Sequence, residues 1–208
     1  ALERLARVDT LLVDKTGTLT EGRPRLSSVV ALPGVSDADL LRLAASLERA
    51  SEHPLAAAIV EGATSRGLAL ASVETFESIT GMGVTGTVQG RRVAIGNDKL
   101  LERLEIDIAP LAARADALRA GGETVMVVAI DGVLAGLVSV ADPIKDAAAE
   151  SITMLVAEGL RVVMVTGDSR ATAMVVAAKL GITEVIADVL PDQKAAVVKR
   201  LQAEKRVV

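Results

Sequence analysis

The sequence predicts an α/β domain with a parallel sheet, interrupted by an inserted α+β domain with an antiparallel sheet. The last third of the chain alternates helical and strand patterns, which is typical of parallel strands joined by crossover helices. The middle carries hairpin signals, which are typical of antiparallel strands. The apolar run 10–13 has no nearby partner and resembles the strands of the last third. We therefore assign residues 1–22 and 139–208 to one domain and 23–138 to the other.

The elements before residue 66 are predicted from apolar runs and helix-start signals. Residues 10–13 and 25–32 are predicted strands. The segment Ser36-Asp-Ala-Asp39 is close to a capping box, and the residues after it place leucines on one helical face. Pro54 is tolerated in a first helical turn and predicts a second helix, through about Ser65.

The middle of the chain is predicted from its turns. Gln89-Gly90 and Asp131-Gly132 are two-residue hairpin signals, and Gly121-Gly122 ends a helical pattern. The predicted elements are strands over 73–80, 83–89 and 91–96, a helix over 108–120, and strands over 125–130 and 133–138.

The last third follows Asp142-Pro143, where the pattern changes. Leu160–Val165 has almost no polar side chain, which predicts a strand buried on both faces. The other predicted elements are helices over 147–158, 171–180 and 191–203 and a short strand over 184–187. The first ten residues resemble the end of a helix, and Val207-Val208 resembles the start of a strand. Both ends thus predict that the sequence is part of a longer protein.

Composition excludes several classes of site. The chain has 208 residues, a net charge of −4, one Phe, and no Tyr, Trp or Cys. A nucleic-acid interface is not expected, because phosphate-backbone binding needs a basic face and single strands stack on aromatic rings. Disulfides, thiolate metal sites and cysteine nucleophiles are excluded.

The stretch "LLVDKTGTLTEG" places Asp14 directly after the first predicted strand. In an open parallel sheet, ligands bind beyond the carboxyl ends of the strands. The predicted strand that ends at Val165 delivers Thr166-Gly167-Asp168 to the equivalent edge. Asp14 can therefore be a nucleophile, a metal ligand or both. A carboxylate that attacks a phosphoryl group forms an acyl phosphate, and Lys194 is a candidate for balancing the phosphate charge.

The motif "DKTGTLT" resembles the phosphorylation signature of P-type ATPases. Further motifs occur in the order found in that family: "SEHPLA", "GMG", "GN", "DPIK", "TGD" and "LPDQK". The pair His53-Pro54 resembles the heavy-metal, or type IB, class. The resemblance runs over essentially the whole chain and implies a haloacid-dehalogenase-like phosphorylation domain with an inserted nucleotide-binding domain.

The resemblance implies a role for each residue at the sheet edge. Asp14 accepts the γ-phosphoryl of ATP, and Asp14 and the Thr16 carbonyl ligate Mg²⁺. Thr166 and Gly167 hold phosphate oxygens, and Lys194 neutralises charge. The further catalytic residues that it implies are Lys15, Asp142 and Asp168.

Position 16 argues for a long-lived phosphoenzyme. Relatives that hydrolyse their aspartyl phosphate quickly carry a second Asp two positions after the nucleophile, as acid and base. Here that position is Thr16, which cannot do this work. The family also has a Gly-Asp-Gly-x-x-Asn-Asp segment that helps to bind Mg²⁺, and this sequence ends before it, at Val208.

The nucleotide site is expected in the inserted domain. The only His precedes a predicted helix, and glycines there allow a ligand to approach the backbone closely. Without Tyr or Trp, adenine must rest on aliphatic side chains, peptide planes and the His ring, which predicts modest affinity. The tether still raises the local ATP concentration at Asp14. The residues that the resemblance places around ATP are Glu48, His53, Gly81, Gly83, Gly96 and Asn97.

Three functions stay open at this point. The first is the ATP-binding and phosphorylation unit of a heavy-metal pump, with copper(I) as the expected cargo. The second is a haloacid-dehalogenase-type phosphatase with a large cap, and the third is a nucleotide-binding module alone. For the pump, the resemblance implies a cytoplasmic position in an integral membrane protein. Its implied partners are the protein's own actuator and transmembrane domains and a metallochaperone.

Overall fold

The computed structural model describes residues 8–168, 170–189, 193–204 and 206–207. Strands β1 to β9 span Thr10–Asp14, Arg25–Ala31, Val73–Ile79, Gly83–Val88, Arg91–Gly96, Thr124–Ile130, Val133–Ala141, Arg161–Val165 and Glu184–Ile186. Helices α1 to α7 span Asp37–Glu48, Pro54–Ser65, Asp98–Arg103, Ala109–Ala120, Ala148–Ala157, Arg170–Leu180 and Lys194–Ala203.

The chain divides into two compact units. The first contains the residues up to Arg23, residues 120–122 and the residues from Asp142 onward. The second contains Pro24–Arg119 and Glu123–Ala141. The predicted fold class is confirmed, because one unit holds a parallel sheet and the other an antiparallel sheet.

The first unit is a small three-layer α/β structure. Its sheet has the order β1-β8-β9, with all described pairs parallel. Helices α5 and α6 cover one face through a cluster that includes Ile152, Met164 and Val176. Helix α7 covers the other face with Val197 and Leu201. Strand β8 is thereby buried on both faces, as its apolar sequence predicts.

The second unit is built on an antiparallel sheet of order β2-β7-β6-β5-β4-β3. Strands alternate their side chains between the two faces, so each face can form its own core. Helices α1 and α2 pack on one face, where Leu40, Leu47 and Ile59 are fully buried. Helices α3 and α4 pack on the other, around Leu101 and Leu111.

Several details differ from the sequence prediction. Helix α3 was not predicted, and β7 runs to Ala141 rather than ending at residue 138.

The carbonyl of Val207 accepts hydrogen bonds from two N–H groups at the start of β1. The single aromatic residue, Phe76, is 38% exposed, so the cores are entirely aliphatic apart from methionine. The predicted helical end over residues 1–7, the helix start at Pro191 and the role of Val208 lie outside the described residues.

Every helix in the described part of the chain is too short or too polar to cross a lipid bilayer.

Candidate functional site

Asp14 is the last residue of β1 and lies opposite Val165, the last residue of β8. The chain then makes a tight turn over Lys15–Leu19. The Thr20 N–H closes this turn by donating to the Lys15 carbonyl at 3.0 Å. Gly17 has φ of 77°, a conformation that favours glycine. Residues 16–18 are exposed, so the turn presents its backbone and two hydroxyls beside a carboxylate at the sheet edge.

Two lysine–aspartate ion pairs lie at this edge. Lys194 Nζ at the start of α7 contacts Asp14 Oδ2, and the two side chains are 36% and 39% exposed. Lys15 Nζ lies 2.5 Å from Asp168 Oδ2, and the Lys15 side chain is only 8% exposed. Lys194 can therefore meet an incoming anion, whereas Lys15 connects the ends of β1 and β8 inside the protein.

The segment Thr166-Gly167-Asp168 leaves β8 at the same edge. Thr166 is buried, and its Oγ1 accepts a hydrogen bond from the Asp168 N–H at 3.2 Å. The Thr166 N–H donates to Ile186 at the end of β9. Gly167 is exposed and has no side chain, so a ligand can approach its backbone from the solvent.

Asp142 contacts the turn rather than Asp14. Its Oδ2 accepts from the Thr20 hydroxyl at 2.5 Å, and its Oδ1 accepts from the Arg23 N–H at 3.2 Å. Lys145 Nζ donates to the Gly17 carbonyl at 2.8 Å. The "DPIK" segment thus holds the turn at two points. Lys145 is therefore a residue of the site that the sequence does not single out, although the motif "DPIK" contains it.

The edge fits Mg²⁺ in its chemistry. Mg²⁺ is usually bound by one or two carboxylates together with substrate phosphates and water. Asp14 supplies a half-exposed carboxylate, and Thr16 supplies an exposed backbone beside it. Among the described residues, no group of three His, Cys, Asp or Glu side chains could hold a metal by itself.

A cleft of about 330 Å³ lies in the second unit. It is formed by the C-terminal end of α1, the start of α2, the turn between β3 and β4, the end of β5 and the start of β6. All six residues predicted for the nucleotide site line it: Glu48, His53, Gly81, Gly83, Gly96 and Asn97.

Close packing of strands explains two of these glycines. Gly83 and Gly96 lie opposite each other on β4 and β5. A Cβ on Gly83 would lie 2.3 Å from the Ile95 carbonyl oxygen, and one on Gly96 would lie 2.3 Å from the Met82 carbonyl oxygen. Real Cβ atoms essentially never come so close, so both positions require glycine whatever the cleft binds.

Asn97 holds the turn that forms one wall of the cleft. Its N–H donates to the Met82 carbonyl and its Nδ2 donates to the Gly81 carbonyl, both at 2.8 Å. Its Oδ1 accepts from the Leu100 N–H at 3.2 Å and so caps α3. Gly81 itself has φ of 72° with no atom near a hypothetical Cβ. One side chain therefore fixes the turn 81–83 and starts a helix.

His53 caps helix α2. Its Nδ1 accepts a hydrogen bond from the Leu55 N–H at 3.2 Å. An imidazole nitrogen that accepts carries no proton, so the neutral ring has its proton on Nε2. His53 can then donate from Nε2 to a ligand while it keeps the cap.

Glu48 is a buried acid at the end of α1. It is 7% exposed, and its Oε2 has no hydrogen-bond partner among the described residues. Burial raises its pKa from 4.5 to about 7, and a hydrogen bond from Ser51 opposes this only in part. A polar group of this kind, lining a cleft, is a candidate for ligand contact.

Sequence reasoning missed one wall of the cleft. Thr124, Val125 and Met126 at the start of β6 line it, as do residues 78–80 at the end of β3. In the sequence these segments look like ordinary strand ends. They lie beside Glu48 because of the order of the strands in the sheet, which the sequence does not show. The further lining residues that lie within the quoted motifs are Ser51 and Leu55 of "SEHPLA" and Met82 of "GMG".

Comparison with known proteins gives consistent similarities over the whole chain. The model of the haloacid dehalogenase-like hydrolase family matches residues 8–208. A copper-transporting P-type ATPase of Rhizobium leguminosarum bv. viciae is 52% identical over 208 residues, 100% of this chain and 25% of that protein. A silver exporting P-type ATPase of Salmonella typhimurium is 47% identical over 208 residues, again 100% and 25%. The chain thus spans about a quarter of the length of these relatives.

The structure of a zinc-transporting PIB-type ATPase in the E2.Pi state is similar in fold, with a TM-score of 0.84 and 35% sequence identity. The match covers 98% of this chain and 33% of that chain.

Proposed function

The chain belongs to the haloacid dehalogenase-like hydrolase family, and we propose that it forms the phosphorylation and nucleotide-binding portion of a heavy-metal-transporting P-type ATPase. The first unit is the phosphorylation domain and the second is the nucleotide-binding domain. Identities of 52% and 47% to copper and silver P-type ATPases support this proposal.

One observation carries the proposal: Lys194 and Asp14, 180 residues apart in sequence, form an ion pair at the end of β1. This pair lies beside the exposed turn 16–18. A carboxylate with an adjacent ammonium and bare backbone suits phosphoryl transfer, which depends on positioning and charge stabilisation.

The reaction follows from these groups. An Asp14 carboxylate oxygen attacks the γ-phosphorus of ATP, and a bond from oxygen to phosphorus forms. The bond between that phosphorus and the bridging oxygen breaks, which releases ADP and leaves an aspartyl phosphate. Lys194 balances the charge on the transferred group, and Gly167, which is exposed at the same edge, contacts its oxygens in this proposal. Mg²⁺ held by Asp14 and Thr16 would neutralise further phosphate charge.

Other residues at the edge position these groups. Lys15 and Asp168 tie the two strand ends together, and Asp142 holds Thr20 under the turn. Thr166 is buried, so its hydroxyl braces the Asp168 backbone and its neighbour Gly167 is the group that can reach phosphate. Thr16 has no acidic group with which to activate water, which favours a persistent phosphoenzyme.

ATP binds in the cleft of the second unit. Glu48 and His53 offer polar contacts there, and the turn 81–83 bares its backbone. Aliphatic side chains such as Ile79, Val84 and Met126 provide the apolar surface on which adenine rests.

The pump setting is part of the same proposal. The chain lies in the cytoplasm as part of an integral membrane protein. Its partners are the actuator and transmembrane domains of that protein. Copper(I) is the proposed cargo, delivered by a metallochaperone, because the 52% identical relative is a copper-transporting ATPase. The phosphatase alternative is disfavoured by Thr16 and by these similarities, and a nucleotide-binding module alone leaves the Asp14–Lys194 pair unexplained.

The proposal is tested by phosphorylation of the full-length protein with Mg²⁺ and γ-³²P-labelled ATP, followed by acid quenching. Wild type is expected to retain label, and Asp14→Asn is expected to retain none. The matched control is Asp146→Asn, an exposed aspartate of the same unit, which should label normally. Equal labelling of Asp14→Asn and wild type would overturn the proposal.

A further inference from the structure

Thr124 is a residue of the cleft that the proposed function does not yet use. It is the first residue of β6, and it lines the cleft together with Met126. Side chains alternate along a strand, so these two lie on the same face of the sheet, about 7 Å apart along β6. Met126 is buried in the cluster beneath α1 and α2, whereas Thr124 is exposed. The cleft therefore passes from an apolar floor at Met126 to a hydroxyl group at its mouth.

The edge of β6 beside Thr124 is open. The last residue of β5, Gly96, lies opposite Val127, so residues 124–126 extend past the end of β5. Along the other edge of β6 they pair with β7, where Thr124 lies opposite Val140. A ligand can therefore approach the start of β6 from its edge. The Thr124 hydroxyl can meet such a ligand, because it forms no hydrogen bond with the protein groups that the structure describes.

The electrostatics around Thr124 suit a negatively charged ligand group. Helix α2 begins at the cleft and packs against β2 and β7, the strands that follow β6 on the side of its partner β7. The positive end of the helix dipole therefore lies on that side of the cleft. Glu123, the acid that precedes Thr124, points to the opposite face, where its Oε2 accepts a hydrogen bond from the buried Ser139 hydroxyl at 2.5 Å. The carboxylate nearest in sequence is thus held away from the mouth of the cleft.

We propose that the Thr124 hydroxyl donates a hydrogen bond to the phosphate chain of the nucleotide in the cleft. This rests on the proposed binding of ATP there. With adenine on the apolar floor at Met126, the phosphates extend toward the mouth. The described lining residues include no lysine or arginine, so the phosphates must be contacted through neutral donors. A hydroxyl that donates to an ionised oxygen forms a strong bond of this kind. Thr124 thereby favours nucleotides over nucleosides.

The test is NMR titration of the isotope-labelled chain with ATP, ADP, AMP and adenosine, in EDTA so that no Mg²⁺ masks the phosphates. Thr124→Val removes the hydroxyl and keeps a branched side chain that suits a strand. We expect its ATP and ADP affinities to fall about tenfold, as for loss of a hydrogen bond to a charged group, and its adenosine affinity to stay unchanged. Thr124→Ser should restore ATP affinity. Thr75→Val, at an exposed threonine of β3 outside the cleft lining, is the matched control and should bind all four ligands as wild type does.

The results distinguish the inference from the proposed function. Equal ATP affinity in Thr124→Val and wild type would overturn the inference. An equal loss for ATP and adenosine would also overturn it, because a change in the fold or in the base site weakens both ligands. In both cases wild type would still bind ATP, and the proposed function would stand. Absence of ATP binding in wild type would instead contradict the proposed nucleotide site.

Discussion

The two units of this chain differ in the number of charged groups at their candidate sites. The edge of the parallel sheet concentrates charge, with two lysine–aspartate pairs beside an exposed turn. The cleft of the antiparallel sheet has few ionisable groups, since Glu48 and His53 are the ones among its lining residues. We interpret the difference as a division between the two ends of ATP. The phosphoryl end needs opposite charge, and the base needs a dry, shaped surface with few polar contacts.

The largest expected effect is on the phosphorylation rate, and it distinguishes the two lysines at the charged edge. Lys194→Met removes the half-exposed ammonium beside Asp14, and we expect the phosphorylation rate to fall about 10²-fold or more, as for loss of one electrostatic stabiliser. The free energy of unfolding of the Lys194→Met variant should change by about 1 kcal/mol at most, because exposed ion pairs contribute little to stability. The rate is measured by rapid quench at saturating ATP, and stability by urea unfolding.

Lys15→Met should behave in the reverse way. It removes the buried partner of Asp168, whose own side chain is 35% exposed, so we expect a loss of about 1–3 kcal/mol in the free energy of unfolding. If instead Lys15→Met leaves stability intact and Lys194→Met unfolds the protein, the assigned roles of the two lysines are wrong.

The next effect concerns the shape of the uncharged cleft. Gly83→Ala forces a Cβ against the backbone of β5, and we expect a loss of about 2–4 kcal/mol together with loss of ATP binding. Gly81→Ala meets no atom and bears only the strain of positive φ, about 1 kcal/mol. Thermal unfolding and ATP titration of both variants measure this. Equal destabilisation by the two would show that strand contact does not define the wall.

A smaller effect concerns the buried acid and appears as a pH dependence of stability. The folded-state pKa of Glu48 is about 7, above its ordinary value of 4.5. Between these values the unfolded chain releases the proton that the folded chain retains, so stability falls as pH rises through this window. Glu48→Gln removes this loss. We expect no stability change at pH 4 and a gain of up to about 3 kcal/mol at pH 8, measured by urea unfolding. A constant difference across pH would contradict the assigned titration.

The smallest effect is expected at His53. His53→Gln removes the ring nitrogen that caps α2, which costs about 1 kcal/mol of stability. We expect weaker ATP binding with the fold intact, monitored by calorimetry and circular dichroism. His53→Asn, which restores a capping side chain without the Nε2 donor, should recover stability but not affinity. Recovery of both stability and ATP affinity would show that His53 acts only as a helix cap.

The sequence predicts the fold well where a local signal agrees with the tertiary structure. Strand β8 is apolar throughout and proves to be buried on both faces, and the Asp131-Gly132 turn joins β6 and β7 as expected. Helix α3 was missed because its six residues are too few for a periodic pattern, and only Asn97 marks its start.

The candidate sites divide in the same manner. Motifs located Asp14 and His53, because distinctive residues surround both in the sequence. No local signal could show that Lys15 pairs with Asp168 or that Lys145 binds the Gly17 carbonyl, since these contacts join distant segments. The neutral state of Glu48 is equally invisible in the sequence, because burial between α1 and the sheet produces it.

The central claim is that Asp14 receives the phosphoryl group of the ATP that this chain binds. The most direct measurement is reduction of the acid-quenched full-length phosphoprotein with borohydride, which converts an aspartyl phosphate to homoserine, followed by peptide mass spectrometry. We expect homoserine at position 14 after incubation with Mg²⁺ and ATP, and none without ATP. Homoserine at another aspartate, or none at position 14 in a protein that binds ATP in the cleft, would contradict the account.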